Sequence, residues 1–360
     1  MTTGVHGERR TDTQSERRGW PHRLLAAVDE RLGIDALRYP VPDHANRLGW
    51  SLGALTALSF LVLLVTGVYL AQFYNPIPEA ANQSIRGLAD VWLGTFSRSL
   101  HFWSAQAMYV LVILHLLRVI FHGSYKRPRE GNYLVGVTMF ALVIAALFTG
   151  TVLKWDQEGF EALAHNIEVA ELLGGLGYWF TPEVAGSLPI LVRLYDAHVV
   201  IVPGLIIVLF VLHALLIKRH GISEHPAIPP AGRAREGQHP FTGHLGRAGA
   251  FGLVVVGALS IVAVLFPPAI GPTPVEGIEV TKPPWPFLWM YALENWFGLP
   301  AILWGGVVLF GLLVLLPFAD RSPRRIWRQR PVVISATALA VAAIIALTII
   351  AIVTTPEAHL

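Results

Sequence analysis

The sequence predicts an all-α membrane protein of seven transmembrane helices, a four-helix bundle followed by three further helices. Three observations carry this reading. Apolar residues make up 54% of the 360 positions and charged residues only 14%, with a mean hydropathy of +0.54; soluble domains carry about a quarter charged residues. The apolar excess falls in seven blocks, at 49–72, 100–121, 133–153, 194–217, 248–267, 299–318 and 331–354. Each is close to the ~20 residues that cross a bilayer core. The basic residues are also one-sided. If the N-terminus is cytoplasmic, segments 1–48, 122–132, 218–247 and 319–330 hold 21 Lys/Arg, and the opposite side holds five: Arg86, Arg98, Lys154, Arg193 and Lys282. Positive charge stays inside, so these residues read as topology signals in a cell membrane rather than as a surface for nucleic acid.

The elements follow in order. Residues 1–18 read as a disordered tail, and no early apolar stretch marks a signal peptide. WPHRLLAAVDERLGIDAL (20–37) has helical periodicity. It suits a surface amphipathic helix on the cytoplasmic side or, equally, a soluble helix packed on the loops. We therefore divide the chain into a cytoplasmic region 1–48, a four-helix domain 49–222, a linker 223–247 and a three-helix domain 248–360. The Pro/Gly/Arg-rich stretch IKRHGISEHPAIPPAGRAREGQHP (217–240) marks the boundary. The connections 154–193 and 268–298 are long and rich in Gly, Pro, Trp and acids, as functional loops are. With no cysteine in the chain, disulfides, thiolate catalysis, Cys-ligated iron–sulfur clusters and Cys-tethered haem are excluded.

Of fourteen histidines, four lie within predicted spans: His101 and His115 in the second, His198 and His213 in the fourth. A separation of fourteen is four turns at ~3.5 residues, so His101 and His115 face the same way. The fifteen between His198 and His213 leave them roughly on one face. Both helices run outside to inside. His101 pairs in depth with His198 near the outer side, and His115 with His213 near the inner side, ~21 Å apart at 1.5 Å per residue. Two layers of two facing imidazoles is the arrangement for two non-covalent b-type haems with bis-His metal ligation. Isolated buried histidines or a proton relay would be the simpler reading of one such residue, but not of two depth-matched pairs. Gly53 and Gly67 in the first span, and Gly136 and Gly150 in the third, repeat the spacing of fourteen and read as gaps for a flat macrocycle. Small-residue helix packing would account for them taken alone. Arg98, Arg118 and Arg193 flank the histidines and suit anionic haem propionates. Pro203 is placed to kink the fourth span.

At these residues the chain resembles cytochrome b of the Rieske/cytochrome b (cytochrome bc-type) complexes, over about residues 40–354. The motifs are Arg98-x-x-His101, His115-x-x-Arg118, GSYKRPRE (123–130), VLKWDQ (152–157), Arg193-x4-His198-x4-Pro203 and KRHGIS (218–223). The histidine spacing in the fourth span, WDQ and the seven spans resemble the photosynthetic-type branch, with its four-helix and three-helix subunits fused. The resemblance implies a quinol oxidoreductase subunit. Quinol would be oxidised at an outer site, one electron passing to a Rieske iron–sulfur protein and a c-type cytochrome, the other crossing through the two haems to an inner quinone site. It also implies a homodimer within a complex. Trp50 stands where that branch has a Cys holding a third haem, so that tether is absent.

The chain departs from the family at KPPWPF. Pro283, Pro284, Trp285 and Pro286 replace Pro-Glu-Trp-Tyr, whose glutamate accepts the quinol proton. The candidates for the outer-site chemistry are Trp285, Asp156 and Glu294, with Glu158, Glu276 and Glu279 nearby in sequence; Trp285 and Phe287 would wall the quinone pocket or anchor at the interface. Ordinary wetted carboxylates are the simpler reading of each acid. At the inner site the resemblance implies quinone contact by Lys218, and His239 and His244 are candidate proton relays. The KPPWPF change also leaves a second reading, a quinone-linked di-haem anchor of another redox enzyme that does not split electrons. A haem-free transporter would need broken helices or an internal repeat, and the sequence has neither.

Overall fold

A computed structural model of the chain describes residues 20–33, 38–233 and 235–356. The tail at 1–18 lies outside them. Seven helices are long and apolar enough to cross a membrane. A surface helix, α1 (Trp20–Leu32), precedes them and stops at Gly33, whose φ of +63° suits glycine. The first span is α2 (Leu48–Ala71). A short amphipathic helix, α3 (Pro78–Ala89), leads into the second span, α4 (Trp92–Phe121), and α5 (Glu130–Leu153) is the third. The long connection after α5 folds a helix of its own, α6 (Gln157–Leu172). The fourth span, α7 (Ile190–His220), ends at Gly221 with φ +69°. Then come α8 (Phe241–Leu265), the interfacial α9 (Leu288–Phe297), α10 (Pro300–Ala319) and α11 (Pro331–Val353). Proline opens α3, α10 and α11, where its missing N–H leaves no intrahelical bond unmade.

Three features differ most from the sequence reading. The second span begins eight residues early, because Ser97 and Ser99 are buried against the bundle, with Arg98 half-buried between them, instead of ending the helix. The fifth span takes 241–247 from the expected linker. Its polar first turns are anchored by a short antiparallel pair, β1 (Pro40–Pro42) with β2 (Gln238–Pro240), that ties the entry of α2 to the entry of α8. The fourth span is not a uniform α-helix. Residues Ala197–Ile201 form a π turn, closed by the Val202 amide bonding the Ala197 carbonyl. Pro203 follows directly; a proline cannot donate to the ladder and crowds the carbonyl four residues back. A π turn accommodates one extra residue. That is why fifteen residues separate His198 from His213 where fourteen separate His101 from His115.

The four-helix half is built from two close pairs, α2 against α4 and α5 against α7. The other spans pack outside it: α8 on α2 and α4, α10 on α5, and α9 on α10 and α11. At the end of the bundle that holds His101 and His198, here called upper, the two long connections are stitched together. Gln157 and Glu161 are both buried. Gln157 Oε1 accepts from the Val275 amide (2.7 Å), and Glu161 accepts from Gln157 Nε2 (2.9 Å) and the amides of Val280 and Thr281 (both 3.0 Å). At the lower end Asp320 joins the halves. It accepts from Lys126 Nζ (2.7 Å) and the Tyr125 hydroxyl, with the Arg330 guanidinium 3.5 Å away. Arg330 in turn donates to the Ile120 and Phe121 carbonyls. Burial alone would raise the Asp320 pKa, but hydrogen bonds from Lys126, Tyr125 and Ser322 push it down to about 2.

Candidate functional site

The four span histidines point into the middle of the four-helix bundle. In the upper layer the His101 and His198 ring centroids are 6.3 Å apart, with planes at 59°. Two imidazoles bound to opposite sides of one metal, by bonds of about 2 Å, place their ring centres roughly 6 Å apart. Among the described residues no group of three or more His, Cys, Asp or Glu is placed to share an ion. The upper histidines meet as a facing pair, a donor set that would suit a haem.

Hydrogen bonding fixes which ring nitrogen is free. The Thr66 hydroxyl donates to the Val62 carbonyl (2.7 Å) and lies 2.9 Å from His101 Nδ1. Its only hydrogen is used, so its oxygen accepts from Nδ1–H and leaves Nε2 with a lone pair. Thr149 repeats the arrangement, donating to the Ala145 carbonyl (2.8 Å) and accepting from His198 Nδ1 (2.9 Å). In the lower layer His213 Nδ1 donates to the Asn132 carbonyl at 3.2 Å. Such partners orient an imidazole and set its tautomer for ligation through Nε2. The sequence reading missed both threonines. Their signal was a Thr-Gly pair, 66–67 and 149–150, on each of the first and third spans.

The four bundle glycines lie against the imidazoles. Each faces one imidazole edge. A Cβ added at Gly150 would lie 3.0 Å from His198 Cε1, at Gly53 3.1 Å from His115 Cε1, at Gly67 3.3 Å from His101 Cε1, and at Gly136 3.7 Å from His213 Cε1. The shared spacing of fourteen therefore seats four rings, two on each neighbouring helix.

The three arginines keep unused N–H groups. Arg98 donates to the Pro268 carbonyl, and Arg193 to the carbonyls of Trp179 (2.9 Å) and Thr181 (2.6 Å). The Nε of each is buried without a hydrogen-bond partner among the described residues, as are Nε and Nη2 of Arg118. Buried donors of this kind suit carboxylate groups at the bundle ends. Arg118 also lies over the Trp50 ring, 3.3 Å from its centroid, and His44, His122 and His225 pack around the same ring at 4.5, 5.6 and 6.1 Å. Trp50 thus fills the place where a tethering Cys was looked for.

The remaining candidates are dispersed. Trp285 is 43% exposed; its Nε1 donates to Gln106 Oε1 (2.6 Å) and its ring meets Tyr109 edge-on at 5.2 Å. Asp156 is buried and fully used, capping α6 at the Gly159 amide (3.0 Å) and accepting from the Gly271 amide (3.1 Å), with Lys154 3.5 Å away. That is a structural role. Glu294, on α9, meets a partner the sequence reading did not consider. His165 on α6 donates from Nδ1 to the Glu161 carbonyl (2.8 Å), and its Nε2 lies 3.3 Å from both Glu279 Oε1 and Glu294 Oε1. Burial lowers the His165 pKa, but Glu294, the Glu161 carbonyl and the charge of Glu279 outweigh it and raise it to about 9. At the lower end Lys218 is exposed, His239 Nε2 pairs with Asp43 at 2.7 Å, and His244 Nδ1 lies 3.2 Å from Asn46 Oδ1.

Comparison with known proteins covers both halves. Residues 36–221 match the family described as Cytochrome b/b6/petB, and residues 272–359 match Cytochrome b(C-terminal)/b6/petD. Cytochrome b6 of Heliobacterium mobile is 39% identical over 210 residues, 57% of this chain and 98% of that protein. The menaquinol:cytochrome c reductase cytochrome b subunit of Bacillus subtilis is 32% identical over 219 residues, 56% of this chain and 98% of its own. Among solved structures, a chain of a hyperthermophilic respiratory Complex III superposes with a TM-score of 0.76 over 92% of both chains, at 22% identity. That likeness is one of fold.

Proposed function

The chain belongs to the cytochrome b/b6 family, and from that premise we propose that it is the di-haem cytochrome b subunit of a quinol:cytochrome c (or similar acceptor) oxidoreductase. In this reading the upper end faces outward and the N-terminus is cytoplasmic. Quinol is oxidised at the upper end and a quinone is reduced at the lower. The partners are a Rieske iron–sulfur protein and a c-type cytochrome, within a dimeric complex of a bacterial or archaeal cell membrane.

The observation that carries it is the pair of imidazole layers, with Nδ1–H of His101, His198 and His213 committed to Thr66, Thr149 and the Asn132 carbonyl. His101 and His198 would hold one haem through Nε2, and His115 and His213 the other. Bound haem supplies reversible one-electron transfer. The protein's part is placement. Four helices hold two ligand pairs ~21 Å apart, the threonines and glycines fix ring orientation, and Arg98, Arg118 and Arg193 offer donors to carboxylates. Trp285, held by Gln106 and Tyr109, walls the upper quinol pocket, and Lys218 lies at the lower end for the quinone.

Haem content tests the ligands. His115→Ala or His213→Ala abolishes the lower haem and leaves the upper partly assembled; two haems per chain in either variant, by pyridine haemochrome, would end the assignment. A second reading, an anchor that does not split electrons, draws on residues 283–286, which carry no titratable side chain. With the lower site blocked, a pulse of oxidant drives b-haem reduction if quinol electrons are split. It only oxidises the haems in an anchor.

A further inference from the structure

Quinol oxidation must dispose of protons, and Pro283–Pro286 cannot take them. The upper connections bring His165, Glu279 and Glu294 together, and Glu294 Oε1 and His165 Nε2 both lack an aligned hydrogen bond among the described residues. We propose that His165, Glu279 and Glu294 form the proton-accepting cluster of the upper quinol site, with Glu294 as the acceptor and His165 as the exit. The proposal rests on the functional reading above and deepens it.

Geometry separates this cluster from the structural carboxylates around it. Asp156 and Glu161 spend their oxygens on backbone amides, and Glu158 pairs with Lys154. Glu294 is 2% exposed, and its Oε1 has no aligned hydrogen bond among the described residues; nor does His165 Nε2. Both atoms sit at ion-pair distance instead. Leaving such a group in a dry interior is costly unless its charge has a use. His165 gives its Nδ1 proton to the Glu161 carbonyl, so all exchange on the ring occurs at Nε2, facing both carboxylates. Exposure grades outward, from 2% at the Glu294 side chain through 4% at Glu279 to 17% at His165. Glu294 also rides on α9, whose preceding turn carries Trp285.

The charge balance fits. With the imidazole a cation, as its raised pKa requires at neutral pH, two carboxylates face one positive charge, so one of them is left to take a proton. Oxidation of quinol to quinone breaks two O–H bonds and releases two electrons, which leave to one-electron carriers, one to the haem side and one to an external iron–sulfur or haem protein. Each proton in turn forms an O–H bond on Glu294; the His165 cation releases its Nε2 proton to solvent and takes the proton from Glu294 in its place, restoring the carboxylate before the next. The other charged or titratable groups on these elements are Lys154 and Asp156 at the start of α6, Glu158, Glu161, Glu168 and Glu171 on it, Glu276 and Lys282 before α9, Lys282 being held by the carbonyls of Ala351 and Ile352, and Tyr291 on α9.

The test is b-haem reduction by quinol in membranes holding the whole complex, with the lower site blocked, followed across pH. Glu294→Gln should slow reduction at least about tenfold with the haem spectrum and dithionite-reducible haem unchanged. His165→Gln should move the acid limb of the rate profile to higher pH by about one unit, since the cation facing both carboxylates is gone. Rates within about twofold of the parent and an unshifted limb in both variants would overturn the proposal. So that misfolding cannot decide it, the unaltered protein is also labelled with 13C-glutamate and its quinol-minus-oxidised infrared difference spectrum recorded. A label-sensitive carboxylic-acid C=O band that is lost in Glu294→Asp supports it, and no label-sensitive band refutes it. Failure of quinol to reduce the haems of the unaltered protein would instead overturn the functional reading itself.

Discussion

Replacing each bundle glycine by alanine should produce two outcomes of opposite sign. Alanine in a helix interior is favoured over glycine by roughly 0.5–1 kcal/mol. Against this stands the imidazole. At Gly136 the new methyl would sit 3.7 Å from His213 Cε1, an ordinary contact, so Gly136→Ala should be neutral or slightly stabilising and keep full haem. At Gly150 the separation is 3.0 Å and at Gly53 3.1 Å, closer than carbon atoms rest. The ring must give by a few tenths of an ångström. Overpacking of this kind costs about 1–3 kcal/mol. At Gly150 the displaced ring belongs to His198, whose Nδ1 bond to Thr149 is worth about 1 kcal/mol. Gly150→Ala should therefore lose a net ~1–3 kcal/mol at the upper ligand pair, and Gly53→Ala slightly less at the lower. Gly67→Ala, at 3.3 Å, falls between. The assay is haem per chain by pyridine haemochrome, with redox titration of what remains. Equal tolerance of all four alanines, or Gly136→Ala as the worst, would refute the view that these glycines seat the imidazoles.

Other substitutions probe other contacts. Thr149→Val and Thr66→Val should each cost about 1 kcal/mol and shift the midpoint potential of the upper haem, while Thr→Ser at either position restores it; titration of the haem spectrum reads the difference. Asp320→Asn leaves Lys126 and Arg330 buried without their counter-charge and should destabilise the junction of the two halves by roughly 3–5 kcal/mol, measured as earlier thermal release of haem and faster proteolysis between α10 and α11. His165 gives a pH prediction. Its folded pKa of about 9 exceeds the ordinary 6.5, so its contribution is fully present below pH ~6.5 and lost as pH rises through about 9, a total of roughly 3 kcal/mol. Thermal stability should fall over that alkaline window in the parent and stay flatter in His165→Gln.

The membrane architecture was legible because its signals are long. Seven apolar runs and the one-sided basic residues need no tertiary knowledge, and the fourteen-residue histidine spacing carries directly into depth. What stayed hidden depends on chain segments far apart in sequence. His165 lies on a loop helix whose partners, Glu279 and Glu294, come more than a hundred residues later, and no periodicity links them. Asp156 looked like loose loop acid, whereas the backbone amides of Gly159 and Gly271 occupy it. The glycine spacing was legible but its neighbours were not, since only coordinates show that an imidazole edge faces each of these glycines. The start of α8 was hidden by its composition: FTGHLGRAG reads as loop until β1 and β2 anchor it.

The π turn at Ala197–Ile201 has a consequence for how relatives of this chain are to be aligned. It uncouples residue count from side-chain azimuth within one helix. His198, the second residue of the turn, and His213 below it keep their headings although the interval between them is longer by one. A relative with one residue fewer between its two ligands needs no such turn, and an alignment gap placed anywhere else in that interval would rotate the downstream ligand by about 100° on paper without any rotation in space. An insertion or deletion at 199–201 is thus silent for the geometry of the ligand pairs, and one between 204 and 212 is not.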